Sequence, residues 1–391
     1  MEPPIRALFT VCEMQGKYVV SAEIPSADYS SRPVFYRGAG RIRGSYVRVG
    51  ESDEPMSEYE VYCYEAFRKR IRDELRTCET NNALLDTARL DEYITLVKQE
   101  KTNLSSNFSD SEIQEFMGIT QNHAMTVAGI MVFFKYPQAY YPQLCITAVS
   151  VTAEVMGESG TSQERFIDNA RLTGAIPEML NSAVDFVRRN SRIRTIIDDS
   201  GKRTDKPEYP IVAVREAILN ALVHRDYSLY SENTPIRIEM YRDRLEIINP
   251  GALYGRMKLG ELGVVRPETR NPALAGMLEI MRITENRYSG IPTIRHALQK
   301  AGLPAPEFSV LHGEFRVIMR NDYILVPNTT QGILQFCSTP RSREELTQFT
   351  GKSRNYTMKY IIQPLVESGQ LRLTLPEKPK SPLQRYVTAG I

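Results

Sequence analysis

Glu216 and Asn220 are the residues of this sequence whose types and spacing best suit chemistry. They lie four residues apart in the run 211–228, where apolar side chains recur at the three- and four-residue spacing that predicts a helix. The two side chains would therefore share one helix face. A carboxamide oxygen is a hard ligand for Mg²⁺ and a nearby carboxylate can orient a water, so the pair suits Mg²⁺–nucleotide chemistry. The alternative, a solvated glutamate and a helix-capping asparagine, stays open on spacing alone.

The elements that would position this pair belong to an α/β stretch. A strand is expected near 145–151, a long helix at 176–190, and a hairpin of strands at 236–241 and 244–248 with its turn at Arg242-Asp243. The second strand ends in the loop signal Asn249-Pro-Gly251, and Ser289-Gly290 leads into another helix. The sequence thus predicts an α/β domain over residues 122–326.

Composition restricts the class of protein. The chain has 391 residues, of which 42% are hydrophobic and 25% charged, which is typical of a globular protein with several domains. No apolar run reaches about 18 residues, so no membrane span is expected. The five cysteines form no C-x-x-C pair and the four histidines form no cluster, which argues against zinc and disulfides. The first residues lack a signal-peptide pattern. The same cysteine pattern argues for reduced thiols, so we predict a cytoplasmic protein.

Charge is concentrated at the C-terminus. Residues 340–391 hold nine lysines and arginines against four glutamates, a charge of +5, whereas the rest of the chain carries −3. Helices are expected at 332–336, 342–351 and 354–368, and two strands follow at 371–375 and 384–388. This order predicts a winged helix over 327–391, a module whose third helix can enter the major groove of double-stranded DNA. The predicted DNA contacts are Lys352, Ser353, Arg354, Asn355, Tyr356, Lys359, Lys378 and Lys380.

The N-terminal region divides into two predicted parts. Residues 1–56 are β-rich, with strands expected at 7–12, 17–24 and 44–50. Five arginines between 32 and 48 alternate with aromatic residues, which suits either nucleic-acid binding or a solvated face. Residues 57–121 are expected to be a helical connector, with helices near 57–75 and 82–99 and a third that begins near Ser109 with N-cap chemistry.

Several of these motifs together resemble a known family. His224-Arg-Asp-Tyr-Ser228, the strand 244–251, Arg270-Asn-Pro and Ser289-Gly290 are similar to those of bacterial and archaeal transcriptional regulators with a GHKL-type ATPase domain, often labelled "RecG-like" or "Alba/Schlafen-type". Gly44–Gly50 is similar to the closing part of the Alba/Schlafen-type domain, whose first half this sequence does not contain. Residues 126–134 resemble the strand that leads into the ATPase-like part.

The resemblance implies a role for each motif. Glu216 would take the water-activating position and Asn220 the Mg²⁺ position, Asn249 and Gly251 the adenine-reading loop, and Ser289 and Gly290 the phosphate loop before a helix. The chain departs from the family where Asn249 replaces an aspartate, and Pro250 stiffens that loop. Tyr288 also stands at a glycine position, and Pro292 follows. Bulk and a fixed φ would hinder phosphate approach there. A degenerate ATP site and an active Mg²⁺-dependent ATPase therefore both stay open.

Two further motifs resemble known catalytic loops but do not satisfy their requirements. Gly351-Lys-Ser353 resembles the end of a P-loop, but Leu346 stands where the first glycine is required, so no helicase motor is predicted. His224-Arg-Asp226 resembles a kinase loop, but Ser231 stands in place of the required asparagine. We interpret it as a buried structural network.

The predicted fold class is α+β and multidomain: a partial β-rich N-terminal domain (1–56), a helical connector (57–121), a GHKL-like α/β sandwich (122–326) and a C-terminal winged helix (327–391). The predicted function is a homodimeric, DNA-binding transcriptional regulator with a GHKL-like ATP-binding domain. The alternative is an active Mg²⁺-dependent ATPase coupled to nucleic acid.

Overall fold

The computed structural model describes the whole chain apart from residues 152–165, 198–202, 267, 285–288, 322–329, 338–339, 380 and 390–391. It is a mixed α/β protein with several sheets. Residues 1–301 and 305–321 form one compact unit, and residues 302–304 and 322–391 form a second. The finer division into four domains stays a prediction. No helix in the described ranges combines the length and the apolar character that crossing a membrane requires.

The first 56 residues form two antiparallel hairpins. Leu8–Met14 (β1) pairs with Lys17–Glu23 (β2). A short helix, Gly40–Gly44 (α1), then leads into Tyr46–Val49 (β3), which pairs with Ser52–Pro55 (β4). The three strands predicted in this region are thus confirmed.

The next 65 residues are mainly helical. The helices are Glu58–Lys69 (α2), Thr87–Glu100 (α3), Thr102–Asn107 (α4) and Asp110–Phe116 (α5). Ser57 and Ser109 cap α2 and α5, each in a reciprocal hydrogen-bonded pair with a glutamate three residues on, so the predicted N-cap near residue 109 is confirmed. The helix predicted from residue 82 begins later, because Asp86 accepts a hydrogen bond from the Arg89 N–H as its N-cap.

Residues 127–133 form a helix, so the strand that the resemblance implied at 126–134 is wrong. Thr77–Cys78 (β5), Thr120–Gln121 (β6) and Ala124–Thr126 (β7) make a small sheet that ends where Val127–Phe133 (α6) begins. Every residue of α6 is buried. A continuous apolar run has no period that separates a buried strand from a buried helix. The discriminating signal is Thr126, whose hydroxyl accepts a hydrogen bond from the Gly129 N–H at 2.9 Å.

A six-stranded sheet organises the rest of the larger unit. Its strands are Ile146–Ser150 (β8), Asp168–Leu172 (β9), Ile236–Met240 (β12), Arg244–Pro250 (β13), Glu307–Leu311 (β14) and Glu314–Arg320 (β15), in the order β14-β15-β13-β12-β8-β9. Only β12 and β8 are parallel. Ile193–Ile197 (β10) and Arg203–Pro207 (β11) pair as a separate hairpin. The predicted hairpin at 236–248 is confirmed: the Tyr241 N–H closes its turn on the Arg244 carbonyl.

The two faces of this sheet differ in chemistry because side chains alternate along each strand. Ala148, Ile238, Ile247 and Val317 are aligned across four strands and are buried. The opposite face carries ion pairs, among them the bidentate Arg237–Glu314 pair at 2.9 and 2.8 Å. The apolar face is the one that a layer of helices can cover.

That layer consists of Ile176–Asn190 (α7), Ile211–His224 (α8) and Gly290–Ala301 (α10), whereas Pro272–Ile280 (α9) packs against α3 and α6. The bounds of α7 match the prediction. Helix α8 contacts β13 and lies between α7 and α10, which explains why it is apolar around most of its circumference.

The smaller unit contains three helical segments and a three-stranded sheet. Its elements are Thr330–Phe336 (α11), Arg341–Ser342 (β16), Arg343–Thr350 (α12), Arg354–Tyr356 (α13), a π-helical stretch Thr357–Ile362, Gln363–Glu367 (α14), Leu371–Leu373 (β17) and Arg385–Thr388 (β18). The sheet order is β16-β18-β17. Ile333, Leu346 and Ile362, one from each helical segment, pack with Leu371 and Tyr386 of the sheet. The predicted order of helices and strands is therefore found, with shorter strands.

Candidate functional site

Helix α8 places Glu216 and Asn220 side by side on a half-buried face. The Asn220 Nδ2 donates a hydrogen bond to Glu216 Oε1 at 3.2 Å. Their neighbours Ala217, Ile218 and Leu219 are buried, so the helix cannot rotate the pair away without exposing apolar surface. The amide oxygen of Asn220 is left as an acceptor by this hydrogen bond.

The start of α10 lies directly against this pair. A Cβ added at Gly290 would lie 2.4 Å from Glu216 Oε1 and 2.8 Å from Asn220 Nδ2, so a larger residue there would displace the ends of both side chains. The first turn of α10 presents backbone N–H groups that have no partner within the helix. Pro292 occupies this turn and is exposed, where its missing N–H costs little. Tyr288, the other departure from the family pattern, lies outside the described residues.

The Asn249–Gly251 loop ends β13 close by. Asn249 is 4% exposed, and its Oδ1 has no hydrogen-bond partner in the described part of the chain. Gly251 has φ +111°, and a Cβ there would lie 2.8 Å from the Asp226 Cβ. The Pro250 carbonyl accepts a hydrogen bond from the Asp226 N–H at 2.9 Å. The loop is therefore held by the segment that follows α8.

One cavity of about 550 Å³ is bordered by all three segments. Glu216, Asn220, Asn249, Gly251, Ser289 and Gly290 line it, together with apolar side chains of the sheet such as Ile247 and Phe315. A mostly apolar cavity of this size with a few convergent polar groups is typical of small-molecule sites. The structure thus brings together every residue predicted for a nucleotide site, and their individual roles stay predictions.

Comparison with known proteins adds a family for part of this region. Residues 233–319 match an ATPase-like domain family. Its description is "Putative ATP-dependent DNA helicase recG C-terminal". We call residues 233–319 the ATPase-like segment. It contains Asn249, Gly251, Ser289 and Gly290, whereas Glu216 and Asn220 precede it.

No curated protein matches this sequence. Among solved structures, the DIP2311 protein from Corynebacterium diphtheriae is 15% identical, with 93% of this chain and 72% of that chain covered and a TM-score of 0.49.

A buried polar network joins the end of α8 to the ATPase-like segment. Asp226 is fully buried, and its Oδ2 lies 3.1 Å from Arg270 Nη1 and accepts a 2.6 Å hydrogen bond from the Tyr59 hydroxyl. Arg270 also donates to the Ala252 carbonyl at 2.9 Å. Asn271 donates to the carbonyls of residues 223 and 225, which closes the end of α8. These contacts support the interpretation of His224–Asp226 as a structural network.

The charges of this network follow from burial and pairing. Burial opposes the charged form of Arg270, yet the neighbouring Asp226 carboxylate raises the pKa of Arg270 above its usual value. Burial, then the charge of Arg270, lowers the pKa of His224 to about 4, so the imidazole in the cavity wall is neutral at neutral pH. Among the described residues, no group of three histidine, cysteine or acidic side chains could hold a metal ion.

Sequence reasoning missed the contact of Tyr59 with Asp226, and it missed that Arg270 lines the cavity beside α8. A second cavity, of about 610 Å³ and rich in tyrosines, shares Ala252, Leu253, Tyr254 and Arg270 with the first. Tyr59 precedes Asp226 by more than 160 residues and carries no local signal. Arg270 is part of the Arg-Asn-Pro motif, but its spacing gave no hint that it would reach a cavity.

The predicted DNA contacts in the smaller unit are exposed where they are described. These residues are Lys352, Ser353, Arg354, Asn355, Tyr356, Lys359 and Lys378, whereas Lys380 lies outside the described residues. None of the four described cations has an acidic partner within ion-pair distance in the described part of this unit. Ser353 also caps α13, since its hydroxyl accepts from the Tyr356 N–H at 3.3 Å. Sequence reasoning missed Tyr360, whose exposed ring lies 5.2 Å from that of Tyr356, although its four-residue spacing was a signal.

Proposed function

We propose that the cavity beside α8 binds ATP together with Mg²⁺. The observation that carries the proposal is the convergence of Glu216–Asn220, Asn249–Gly251 and Ser289–Gly290 on one cavity. These three segments are far apart in the sequence, and the family resemblance implied a nucleotide-binding role for each of them. The match of the ATPase-like segment supports the same ligand class.

The residues fit the chemical groups of this ligand. The buried Oδ1 of Asn249, which has no hydrogen-bond partner among the described residues, is an acceptor for an amino group such as that of adenine. A neutral amide can therefore replace the family's aspartate. The backbone N–H groups in the first turn of α10, which have no partner within the helix itself, suit phosphate oxygens. The Asn220 amide oxygen would hold Mg²⁺, which when bound neutralises phosphate charge. Glu216 would orient a water beside it.

Calorimetric titration with a non-hydrolysable ATP analogue and Mg²⁺ tests this proposal. We expect the wild-type chain to bind, and Asn220→Ala to weaken binding by about tenfold or more, because a charge-assisted contact of roughly 1.5–3 kcal/mol is lost. Asn103→Ala, which removes an exposed helical asparagine elsewhere, is the matched control. Absence of heat with the wild-type chain, or equal affinities for wild type and Asn220→Ala, would contradict the proposal.

A second proposal concerns the smaller unit, which we infer to be a winged helix that binds double-stranded DNA and makes the chain a transcriptional regulator. Its support is the order of three helical segments and a hairpin, with the exposed cations Lys352, Arg354 and Lys359 around the third segment. The exposed Tyr356 and Tyr360 rings add surface that can contact sugar or base. The competing use of such a unit is protein–protein contact, which needs no excess of cations.

Fluorescence anisotropy with a DNA duplex at several salt concentrations separates these uses. The triple variant Lys352→Ala, Arg354→Ala, Lys359→Ala should bind more weakly, and the slope of log affinity against log salt should fall by roughly 2–3, since each phosphate contact contributes about 0.9. Lys101→Ala, an exposed lysine of the larger unit, should change neither quantity. A salt slope that is the same in the triple variant and the wild type would refute DNA binding through this surface.

The two proposals are compatible. A nucleotide that binds two conformations with different affinity would shift the population that binds DNA. Turnover of ATP is not required for such regulation. The alternative of an active Mg²⁺-dependent ATPase is therefore a separate question, and it depends on whether Glu216 activates a water.

A further inference from the structure

The β1–β2 hairpin carries several apolar side chains that no other part of the described larger unit covers. The two strands form a sheet of their own, and all of their residues are exposed. Gln15 and Gly16 make the two-residue turn, with φ of 55° and 74°. A two-stranded hairpin by itself is marginally stable in water, and its outer edges offer unpaired N–H and C=O groups. The exposed apolar side chains and open edges of this hairpin indicate that a further strand pairs with it.

One face of the hairpin is almost entirely apolar. The register pairs Phe9 with Ala22 and Val11 with Val20, and Tyr18 continues this face towards the turn. Phe9 is 71% exposed, Tyr18 79%, and Val11 and Val20 63% each. Single exposed apolar residues are normal, but a contiguous patch of this kind marks an interaction surface.

The sequence of β2 is complementary to itself. Its residues are Lys17-Tyr-Val-Val-Ser-Ala-Glu23, and antiparallel pairing of two copies about Val20 places Lys17 of each copy opposite Glu23 of the other. The corresponding pairing of β1 about Val11 places Glu13 opposite Phe9 and forms no ion pair. Opposite charges across a strand pair stabilise it, so the β2 edge is the better matched.

The hydrogen-bond pattern also leaves the β2 edge available. In a hairpin with a two-residue turn, the residues that flank the turn, Met14 and Lys17, form a hydrogen-bonded pair, and such pairs alternate along the ladder. The N–H and C=O groups of Tyr18, Val20 and Ala22 therefore point away from β1. In the two-fold arrangement Val20 would bond to Val20 of the second copy, and Tyr18 to Ala22.

We propose that this hairpin is a dimerisation element that pairs with a second copy of this chain. The assembly is a four-stranded sheet in which the two β2 strands are central and the two β1 strands are at the edges. A two-fold axis at Val20 brings the apolar faces of both copies to the same side, so the exposed patches become continuous and shield each other along the seam. This inference is independent of the proposed nucleotide and DNA functions.

Charge reversal with sedimentation analysis of the full chain tests the register. We expect a dimer for the wild type, about tenfold weaker dimerisation for Lys17→Glu and for Glu23→Lys, and recovery in the double variant, because the ion pairs are restored with opposite polarity. Glu13→Lys, a reversal on β1, should leave the dimer unchanged. A monomeric wild type, single reversals without effect, or a double variant no better than the single ones would overturn the proposal.

Cysteine cross-linking tests the two-fold axis. In a Cys12→Ser background, the Val20→Cys variant should form a disulfide-linked dimer on oxidation, since residue 20 faces itself. The Val19→Cys variant should not, since residue 19 faces residue 21 and its own copy lies roughly 7–8 Å away, beyond the usual reach of a disulfide. Equal cross-linking of both variants, or none of Val20→Cys, would contradict the register.

Discussion

Replacing Glu216 with Gln is expected to lower the rate of ATP hydrolysis by about 10²–10⁴-fold while leaving nucleotide affinity nearly unchanged. The carboxylate lies in the wall of the cavity beside Asn220, which donates to Glu216 Oε1 at 3.2 Å. Glutamine has the same shape and can still accept that hydrogen bond, but it cannot take a proton from water. The predicted effect is therefore on kcat, with little change in binding.

Steady-state phosphate release and calorimetric titration of the same preparations separate the two quantities. Glu92→Gln, an exposed glutamate of α3, is the matched control for the loss of one carboxylate. Equal rates of ATP hydrolysis by Glu216→Gln and the wild type would show that Glu216 has no role in ATP hydrolysis. A wild-type chain that binds the ATP analogue but releases no phosphate would decide for a degenerate site and against the ATPase alternative.

The local parts of the site could be predicted because each depends on short-range rules. The i,i+4 spacing placed Glu216 and Asn220 on one helix face, and the Asn-Pro-Gly and Ser-Gly signals placed loops at the ends of elements. Their convergence could not be predicted by spacing, because it depends on the strand order of the sheet, in which β13 lies between β12 and β15. The resemblance supplied that step.

Other features depend on contacts between residues remote in sequence. Nothing near Tyr59 indicates that its hydroxyl would reach Asp226. The error at residues 126–134 has a different origin: helix α6 is buried on all sides, so its sequence lacks the polar face from which a helix is predicted. Nothing in the sequence indicated that the β1–β2 hairpin would be exposed, since apolar alternation in a strand normally predicts a covered face.

The largest loss of stability is expected for Asp226→Ala, about 3–5 kcal/mol in the free energy of unfolding of the larger unit. Asp226 is fully buried and receives three contacts: from Arg270 at 3.1 Å, from the Tyr59 hydroxyl at 2.6 Å and from the Ser228 N–H at 2.9 Å. Alanine would leave the Arg270 charge in the interior with the Ala252 carbonyl as its remaining described acceptor. An uncompensated buried charge costs more than the pair contributes.

Differential scanning calorimetry of the full chain measures this loss. For a unit of this size the conversion is about 1.5 °C per kcal/mol, so the midpoint of the unit that holds Asp226 should fall by roughly 5–7 °C. Tyr59→Phe removes a single hydrogen bond to the same carboxylate and should cost about 1–3 kcal/mol. Asp53→Ala, which breaks an exposed ion pair with Arg48 at 3.1 Å, should change the midpoint little.

The same substitution should also weaken nucleotide binding, because Asp226 holds one wall of the cavity. Its N–H donates to the Pro250 carbonyl, and Gly251 packs against its Cβ so closely that no side chain fits there. Loss of the carboxylate frees Arg270 and with it the Asn249–Gly251 loop, so stability and affinity should fall together. If Asp226→Ala instead unfolds at the wild-type temperature, water must reach Arg270 in the variant, and the network would then position the loop without stabilising the fold.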